Sequence, residues 1–282
     1  MRLTTKIHER DSAQLTYVYP VVSRRAGGVS VGINLNPNNA CNWRCAYCQV
    51  EGLVLGAGPA IDQELLEQEV REFLGALLNG DWMEHHVPEG SRRVKDVAFS
   101  GNGEPTTSPD FAASMDRVAQ VLDELDPDRN LQTILISNGS QAHKTEVQAG
   151  LARLAQRGGE VWFKFDGGTS VERTQLNGVE IPDQKVIDNL VQCSQLVRTR
   201  LQTMRVAVDG EGPDEAADQS WTHLVRSAQA AGARVHDVLL YGLERKVYQP
   251  EAERLSKLPA EELLARAEAI RAELDLPVQV HP

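Results

Sequence analysis

Apolar runs rich in β-branched residues alternate along the chain with longer stretches in which apolar residues recur every three or four positions. The first pattern predicts strands and the second amphipathic helices. Strands are expected at residues 29–35, 94–99, 131–136, 160–165, 201–208 and 235–241. Helices are expected between them at 62–78, 109–125, 144–156, 182–197 and 214–231, and after them at 259–274. Asp62, ahead of Glu64 and Leu65, and Asp110, after Pro109, are placed to cap helix starts. Gly158-Gly159 and Gly232 are placed to end helices. Such β–α alternation implies parallel strands joined by right-handed crossovers. The expected fold is therefore α/β, a partial (β/α)6 TIM-like barrel with parallel strands. Periodicity does not separate it from an open doubly wound sheet. No Gly-, Ser- or Pro-rich linker divides the chain, so a single domain is expected, with a core over 29–245. Residues 1–28 read as an N-terminal extension, 82–95 as a surface excursion and 246–282 as a C-terminal helical segment.

The residues that end these strands are polar: Asn34, Asn36 and Asn38, then residues 100–104, then Ser137-Asn138-Gly139, then Lys164 and Asp166. In either architecture the loops after the strand C-termini carry the chemistry. Composition narrows the class without naming a reaction. Of 282 residues 41% are hydrophobic and 24% charged, ordinary for a globular enzyme. Glycine and proline, at 22 and 13, exclude a fibrous or low-complexity chain. No apolar run reaches the ~18–20 residues of a membrane helix, and the N-terminus lacks an apolar signal core, so no membrane contact and a cytoplasmic location are expected. A net charge of −11 argues against a generic nucleic-acid binder. The short basic groups Arg24-Arg25 and Arg92-Arg93 with Lys95 read first as solvated surface, which leaves room for a nucleic-acid-modifying enzyme.

Three of the four cysteines, Cys41, Cys45 and Cys48, lie within eight residues, spaced C-x3-C-x2-C directly after a predicted strand. A disulfide framework spreads its cysteines in pairs, whereas this cluster reads as metal or redox chemistry. Three thiolates on one loop can hold three corners of an iron–sulfur cubane and leave one iron without a protein ligand. A closed zinc site needs a fourth ligand, which Cys193 or one of seven histidines would have to supply at unusual spacing. Cys193 itself falls in helical register with Val186, Leu190 and Val197, the pattern of a buried core position, with hydrogen-atom donation as the alternative. Residues 244–246 read equally as substrate contacts or as a solvated charge run.

The triplet, with Tyr47 immediately before its last cysteine, resembles the signature of the radical S-adenosylmethionine (radical SAM) superfamily. The resemblance implies a [4Fe–4S] cluster on Cys41, Cys45 and Cys48, with its open iron chelated by the amine and carboxylate of S-adenosyl-L-methionine. It also implies that the backbone at Tyr47 meets the adenine amino group. A second string, Ser100-Gly101-Asn102-Gly103-Glu104-Pro105, resembles the glycine-glycine-glutamate motif that aligns the methionine amine. It departs from that motif in carrying Asn102 at the first glycine of the pair. Ser137-Asn138-Gly139 resembles a third conserved loop, with Ser137 and Asn138 as hydrogen-bond partners for cofactor or substrate; Asn-Gly is also a common turn pair.

In residues 160–168, strand alternation sets Lys164 and Asp166 on the face opposite Phe163 and Phe165, aimed at the barrel mouth as candidate catalytic residues or as a structural ion pair. The string, followed by Leu176-Asn177, is similar to the branch that holds the wyosine-forming tRNA enzymes and the molybdenum-cofactor-type Fe–S oxidoreductases. The matches together span residues 31–210. The resemblance implies reductive cleavage of S-adenosylmethionine to a 5′-deoxyadenosyl radical that takes hydrogen from a substrate. It also implies a low-potential electron donor of flavodoxin or ferredoxin type. The substrate reading is a nucleoside, free or in tRNA; the alternatives are a small metabolite or sugar undergoing epimerisation or rearrangement, and, in another class, a non-enzymatic zinc or Fe–S module.

Overall fold

A computed structural model describes Leu3, residues 13–23 and residues 27–282. Its main sheet has eight strands in sequential order, β1 Val18–Ser23, β2 Gly28–Ile33, β3 Val94–Phe99, β4 Gln132–Ser137, β5 Glu160–Lys164, β6 Arg198–Met204, β7 Val235–Tyr241 and β8 Val278–His281. From β2 onward every pairing is parallel, while β1 runs antiparallel to β2 with Val18 opposite Ile33 and Ser23 opposite Gly28. The crossovers carry α1 Gln63–Asn79, α2 Phe111–Leu125, α3 Thr145–Gln156, α4 Ser170–Asn177, α5 Asp183–Leu196, α6 Glu215–Ala230 and α7 Ala260–Leu274. Among the described residues β1 and β8 are the two open edges of the sheet.

Alternation across the strands decides between barrel and doubly wound sheet. One row of register partners, Ile33, Phe99, Leu135 and Val161, faces the helices. These side chains share a core with Leu66 and Leu74 of α1, Leu122 of α2, Leu190 of α5 and Leu263 of α7. The opposite row is covered by no helix: Ala98, Ile134, Trp162 and Leu239 form a small cluster of their own. Helices on one face and a self-lined interior on the other make an arc of a barrel. Its floor is ionic. Arg200 reaches both oxygens of Asp237 at 2.6 and 2.7 Å and Glu160 at 3.1 Å, and the Trp162 indole N–H donates to Glu160 at 2.7 Å.

The six expected strands and six expected helices are present with ends moved by up to four residues. Asp62 caps α1 through the N–H groups of Glu64 and Leu65 at 3.1 and 3.0 Å. Asp110 makes no cap; its carboxylate accepts from the Ile61 N–H at 2.7 Å and so ties α2 to the chain entering α1. Two strands of the main sheet lie outside the expected six. β1 carries Pro20, which is tolerated because the strand lies at an edge, and β8 adds a strand to the segment read as helical. The helix α4 also went unread, although Thr169-Ser170-Val171-Glu172 spells a capping box that the structure forms. The 82–95 excursion contains a short helix, Trp82–His86, with His86 stacked on Trp82. Arg92 donates to the carbonyls of Val87 and Glu84, and Arg24-Arg25 lie outside the described residues.

One buried group anchors the antiparallel edge. The Glu69 carboxylate on α1 accepts from the backbone N–H groups of Thr16, Tyr17 and Val18 at 2.8, 2.7 and 3.2 Å. Glu69 is 5% exposed, and removing it strands the N–H groups of the buried Tyr17 and Val18. Glu69→Ala should therefore cost about 3 kcal/mol in denaturant unfolding, and a loss below about 1 kcal/mol would show that β1 is held by its apolar contacts alone.

Candidate functional site

β2 delivers the chain into a loop over residues 34–58 that folds back on itself. Ala40–Cys41 pairs in parallel with Val54–Leu55, reinforced by Val54 N–H to Asn39 O at 3.0 Å and Gly56 N–H to Cys41 O at 2.9 Å. Within this clasp the Cys48 N–H closes a turn onto the Cys45 carbonyl at 2.9 Å. Cys41, Cys45 and Cys48 are all free thiols, and all three line one cavity of about 270 Å³ at the C-terminal side of the parallel strands. Gly101, Asn102, Gly103 and Glu104 line the same cavity, as do Asn138, Lys164, Tyr241, Glu244 and Arg245. Pro105 and Ser137 are buried behind its wall, and Tyr47 is buried with its ring on it.

Side-chain amides join the loops. Asn34 Oδ1 accepts from the N–H groups of Asn36 and Asn102 at 3.1 and 3.0 Å. Asn102 Nδ2 donates to Asn39 Oδ1 at 2.6 Å, which ties the second loop to the cysteine loop. Asn42 bridges to the third, accepting from Asn138 Nδ2 at 2.9 Å and donating to Ser140 Oγ at 2.7 Å. The residue that departs from a glycine pair thus has a mechanical reason: an asparagine at 102 makes a contact that glycine lacks. The two neighbouring glycines have no such freedom. A Cβ at Gly103 would lie 2.0 Å from the Ala40 carbonyl and one at Gly101 2.3 Å from Asn34 Oδ1, so the chain passes the Ala40 backbone and the Asn34 side chain only where both side chains are absent.

The Glu104 carboxylate is 3% exposed and saturated by protein donors. Its Oε1 accepts from Thr106 N–H, Thr106 Oγ1 and Ser137 Oγ at 3.2, 2.5 and 2.7 Å, and its Oε2 from Asn138 N–H at 2.6 Å. Burial pushes its acidity down, raising the pKa, against the pull of these donors. The Ser137 hydroxyl expected to face a ligand is spent inside this bundle, donating to Glu104 and accepting from the Gly139 N–H at 2.9 Å. Glu104 and Ser137 hold the wall; Asn138 is the member of the third loop that reaches the cavity.

Behind the cysteines, β5 brings up Lys164 and Asp166, and both meet Tyr47. Lys164 Nζ donates to the Tyr47 hydroxyl at 2.8 Å and sits 4.7 Å from its ring centroid. Burial opposes the charge on Lys164, but Tyr241, Cys45, Asp166 and Cys48 around it hold its pKa above the ordinary lysine value. Asp166 is off the main cavity wall: its carboxylate accepts from the Tyr47 hydroxyl, from Asn177 Nδ2 at 2.7 Å and from Met204 N–H at 2.8 Å. The two side chains share a face as expected, but only Lys164 reaches the cavity. Asn177 and its neighbours, read only as a string match, prove to touch the cysteine loop directly. The Leu176 carbonyl accepts from Ala46 N–H at 2.9 Å, and a Cβ at Gly178 would strike the Arg44 carbonyl at 2.4 Å. Cys193 is a core residue of α5, 2% exposed and facing Thr199, away from the other three cysteines.

Three unpaired thiols on one cavity wall are a donor set for a soft metal or an iron–sulfur cluster. Among the described residues no three His, Cys, Asp or Glu side chains are drawn around a single point as one ion requires. Burial pushes the Cys41 thiol up to about 12, with the Trp43 N–H opposing the rise and Glu104, Cys45 and Cys48 adding to it. Burial likewise raises Cys45, opposed by Lys164. Both therefore rest as thiols, and loading a metal there must release protons.

No family model matches the chain. A curated protein, GTPase Obg of Brachyspira hyodysenteriae (strain ATCC 49526 / WA1), is 27% identical over 132 residues, 47% of this chain and 17% of that protein. The chain thus spans well under two thirds of that protein's length, and no lysine in it follows a glycine as the phosphate-loop string Gly-Lys-Ser/Thr requires. Among solved structures, a radical SAM methyltransferase from Sphaerobacter thermophilus aligns with a TM-score of 0.59 at 15% identity, over 94% of this chain and 68% of that chain. What the two share at that identity is the fold, an α/β half-barrel with a mostly parallel sheet. No helix among the described residues is long and apolar enough to cross a membrane.

The raised thiol has a direct chemical signature. In the native metal-free protein near pH 8.5, where an ordinary thiol is half ionised, Cys41 should alkylate at least ~100-fold more slowly than in the unfolded chain, because the thiolate is the nucleophile. Its rate should climb about tenfold per pH unit without levelling until pH approaches the raised value. A plateau near pH 9, read by mass spectrometry of the labelled peptide, would place the thiol in an ordinary environment.

Proposed function

We propose that this protein is a radical SAM enzyme that holds a [4Fe–4S] cluster on Cys41, Cys45 and Cys48 and binds S-adenosyl-L-methionine in the adjoining cavity. The observation that carries the reading is convergence. Three free thiols, the Gly101–Gly103 backbone approach, Asn138 and Lys164 meet on one cavity at the C-terminal ends of parallel strands. The fold shared with a radical SAM methyltransferase supports it. When bound, the cluster would supply the electron that splits the S–C5′ bond of S-adenosylmethionine, giving a 5′-deoxyadenosyl radical for hydrogen abstraction from substrate.

The chain's own groups have separable tasks. Residues 101–104 present backbone at close range on one side of the cavity, and the amide lacing keeps that backbone registered to the cysteines. Lys164 places a half-buried positive charge where the carboxylate of a zwitterionic cofactor or an anionic substrate group would be held. Asp166, first read as catalytic, is better assigned as a positioning residue acting through Tyr47 and Asn177. Trp43, Trp162 and Tyr241 give the cavity aromatic walls that exclude water from a reactive intermediate and suit a planar substrate such as a nucleobase. That favours a nucleoside, free or in tRNA, over an aliphatic metabolite or sugar. A low-potential donor of flavodoxin or ferredoxin type completes the scheme.

Anaerobic reconstitution with iron and sulfide should load one cluster in the native chain and in Cys193→Ala, and none that is stable in Cys45→Ala, as read by visible absorbance and iron content. A fully loaded Cys45→Ala protein would overturn the ligand set. Reduced, loaded protein should convert S-adenosylmethionine to 5′-deoxyadenosine. Methylthioadenosine as the sole nucleoside product would overturn the proposed cleavage, and S-adenosylhomocysteine would instead indicate methyl transfer.

Lys164→Met should keep the cluster and the fold but lower deoxyadenosine formation at least ~10-fold, about 1.4 kcal/mol of transition-state stabilisation. Unchanged turnover in a folded, loaded Lys164→Met protein would make the lysine structural.

A further inference from the structure

Asn177 lies outside the cavity wall, 1% exposed, at the last position of α4. Its amide nitrogen is aimed at three groups of the cysteine loop and its support. Nδ2 lies 2.7 Å from Asp166 Oδ2, 3.3 Å from the Tyr47 hydroxyl and 3.5 Å from Cys45 Sγ. An amide has two N–H bonds. The Asp166 contact is the short, charge-assisted one and fixes the rotation of the amide plane, which leaves the second N–H for the side holding Cys45 and Tyr47. Asp166 cannot follow a moving amide, because its other oxygen is bonded to the Met204 N–H at the end of β6. Nor can the cysteine loop drift from α4, since Ala46 N–H is bonded to Leu176 O and the Arg44 carbonyl abuts Gly178. The sulfur and the amide are therefore held in one frame from both sides.

We infer that Asn177 is a positioning residue whose second N–H donates to the Cys45 sulfur and sets the reduction potential of the cluster held there, an inference that rests on the radical SAM reading. A hydrogen bond to a ligating sulfur withdraws electron density from the cluster and favours its reduced state, one of the levers by which proteins tune such centres. The donor set around Cys45 is asymmetric: Asn177 stands on the protein side and Lys164 on the cavity side, each joined to Tyr47. Asp166 opposes them with negative charge, and pairing with Asn177 turns that charge away from the sulfur.

The test is a redox titration of the loaded cluster, followed by electron paramagnetic resonance, in the native chain and in Asn177→Ala, Asn177→Leu and Asn177→Gln. The two chains without a donor should show a reduced-to-oxidised ratio at least ~3-fold lower than native at the same solution potential. The Gln chain, which keeps an amide N–H, should return to within ~2-fold. A native ratio in a loaded Ala or Leu chain overturns the inference and leaves the radical SAM reading intact. Failure of both donor-free chains to load while Gln loads also overturns it, because Asn177 would then serve folding of the loop rather than potential. Failure of the native chain to load a cluster removes the radical SAM reading and this inference with it.

Discussion

The carboxylate of Glu104 holds together parts of the molecule that have no apolar reason to meet. Loops leaving the C-terminal edge of a parallel sheet diverge, and their backbone polar groups would be satisfied equally well by water. Burying one carboxylate among donors from its own turn and from the start of the next loop reverses that preference, because a buried charge short of partners is far costlier than the same charge in water. Removing one of those donors would leave the buried carboxyl group short of a partner, at a cost of about 1–3 kcal/mol. With Asn138 held by Glu104, its side chain is in place to reach Asn42, and through Asn42 the third loop reaches the cysteine loop. Buried polar groups thus join the three loops, while Trp43, Cys45 and Tyr47 of the cysteine loop add an apolar cluster with Met204 and Val206.

The scaffold beneath works on a different principle. Its outer face is a continuous apolar core between sheet and helices, and its inner face is a thin apolar cluster over an ionic floor of Glu160, Arg200 and Asp237. The charges of that floor are paired on several sides, which keeps the low end of the arc from being filled by apolar side chains or left as an empty void. Rigid below and polar above, the arrangement confines adaptable contacts to the loops, where a ligand can use them.

Most of the scaffold was legible because hydrophobic period is a local property of the sequence. Helix α1 could be read from Asp62 and the spacing that follows it, and the parallel strands from their short β-branched runs. What escaped depended on neighbours distant in sequence. Val18–Ser23 is buried along most of its length and interrupted by Pro20, so it shows no alternation, and its identity as a strand comes from β2 and from the Glu69 carboxylate. In the site, the cysteine spacing and the Gly-Asn-Gly-Glu string were readable. That Asn102 would hold Asn39, that Ser137 would turn inward to Glu104 and that Asp166 would face Tyr47 were not. Alternation gives the face on which a side chain lies but not the partner waiting there.

An unclosed sheet also differs from a closed barrel in what it allows. The bore of a closed barrel is fixed by strand number and stagger. Here Val21 on β1 and His281 on β8 both border the cavity from opposite free edges that share no pairing among the described residues. A small change in strand twist, distributed over the whole sheet, alters the distance between those edges without breaking a ladder hydrogen bond. The span between the two edges is therefore set by sheet twist and not by a closed ring of ladder bonds. The thiol-bearing loop rides on β2 and is laced to the loops after β3 and β4. It also reaches the segment after β7, where Arg44 meets Glu251 and the Cys48 carbonyl accepts from the Tyr248 N–H at 3.0 Å, so a change in that span is felt at the cysteines.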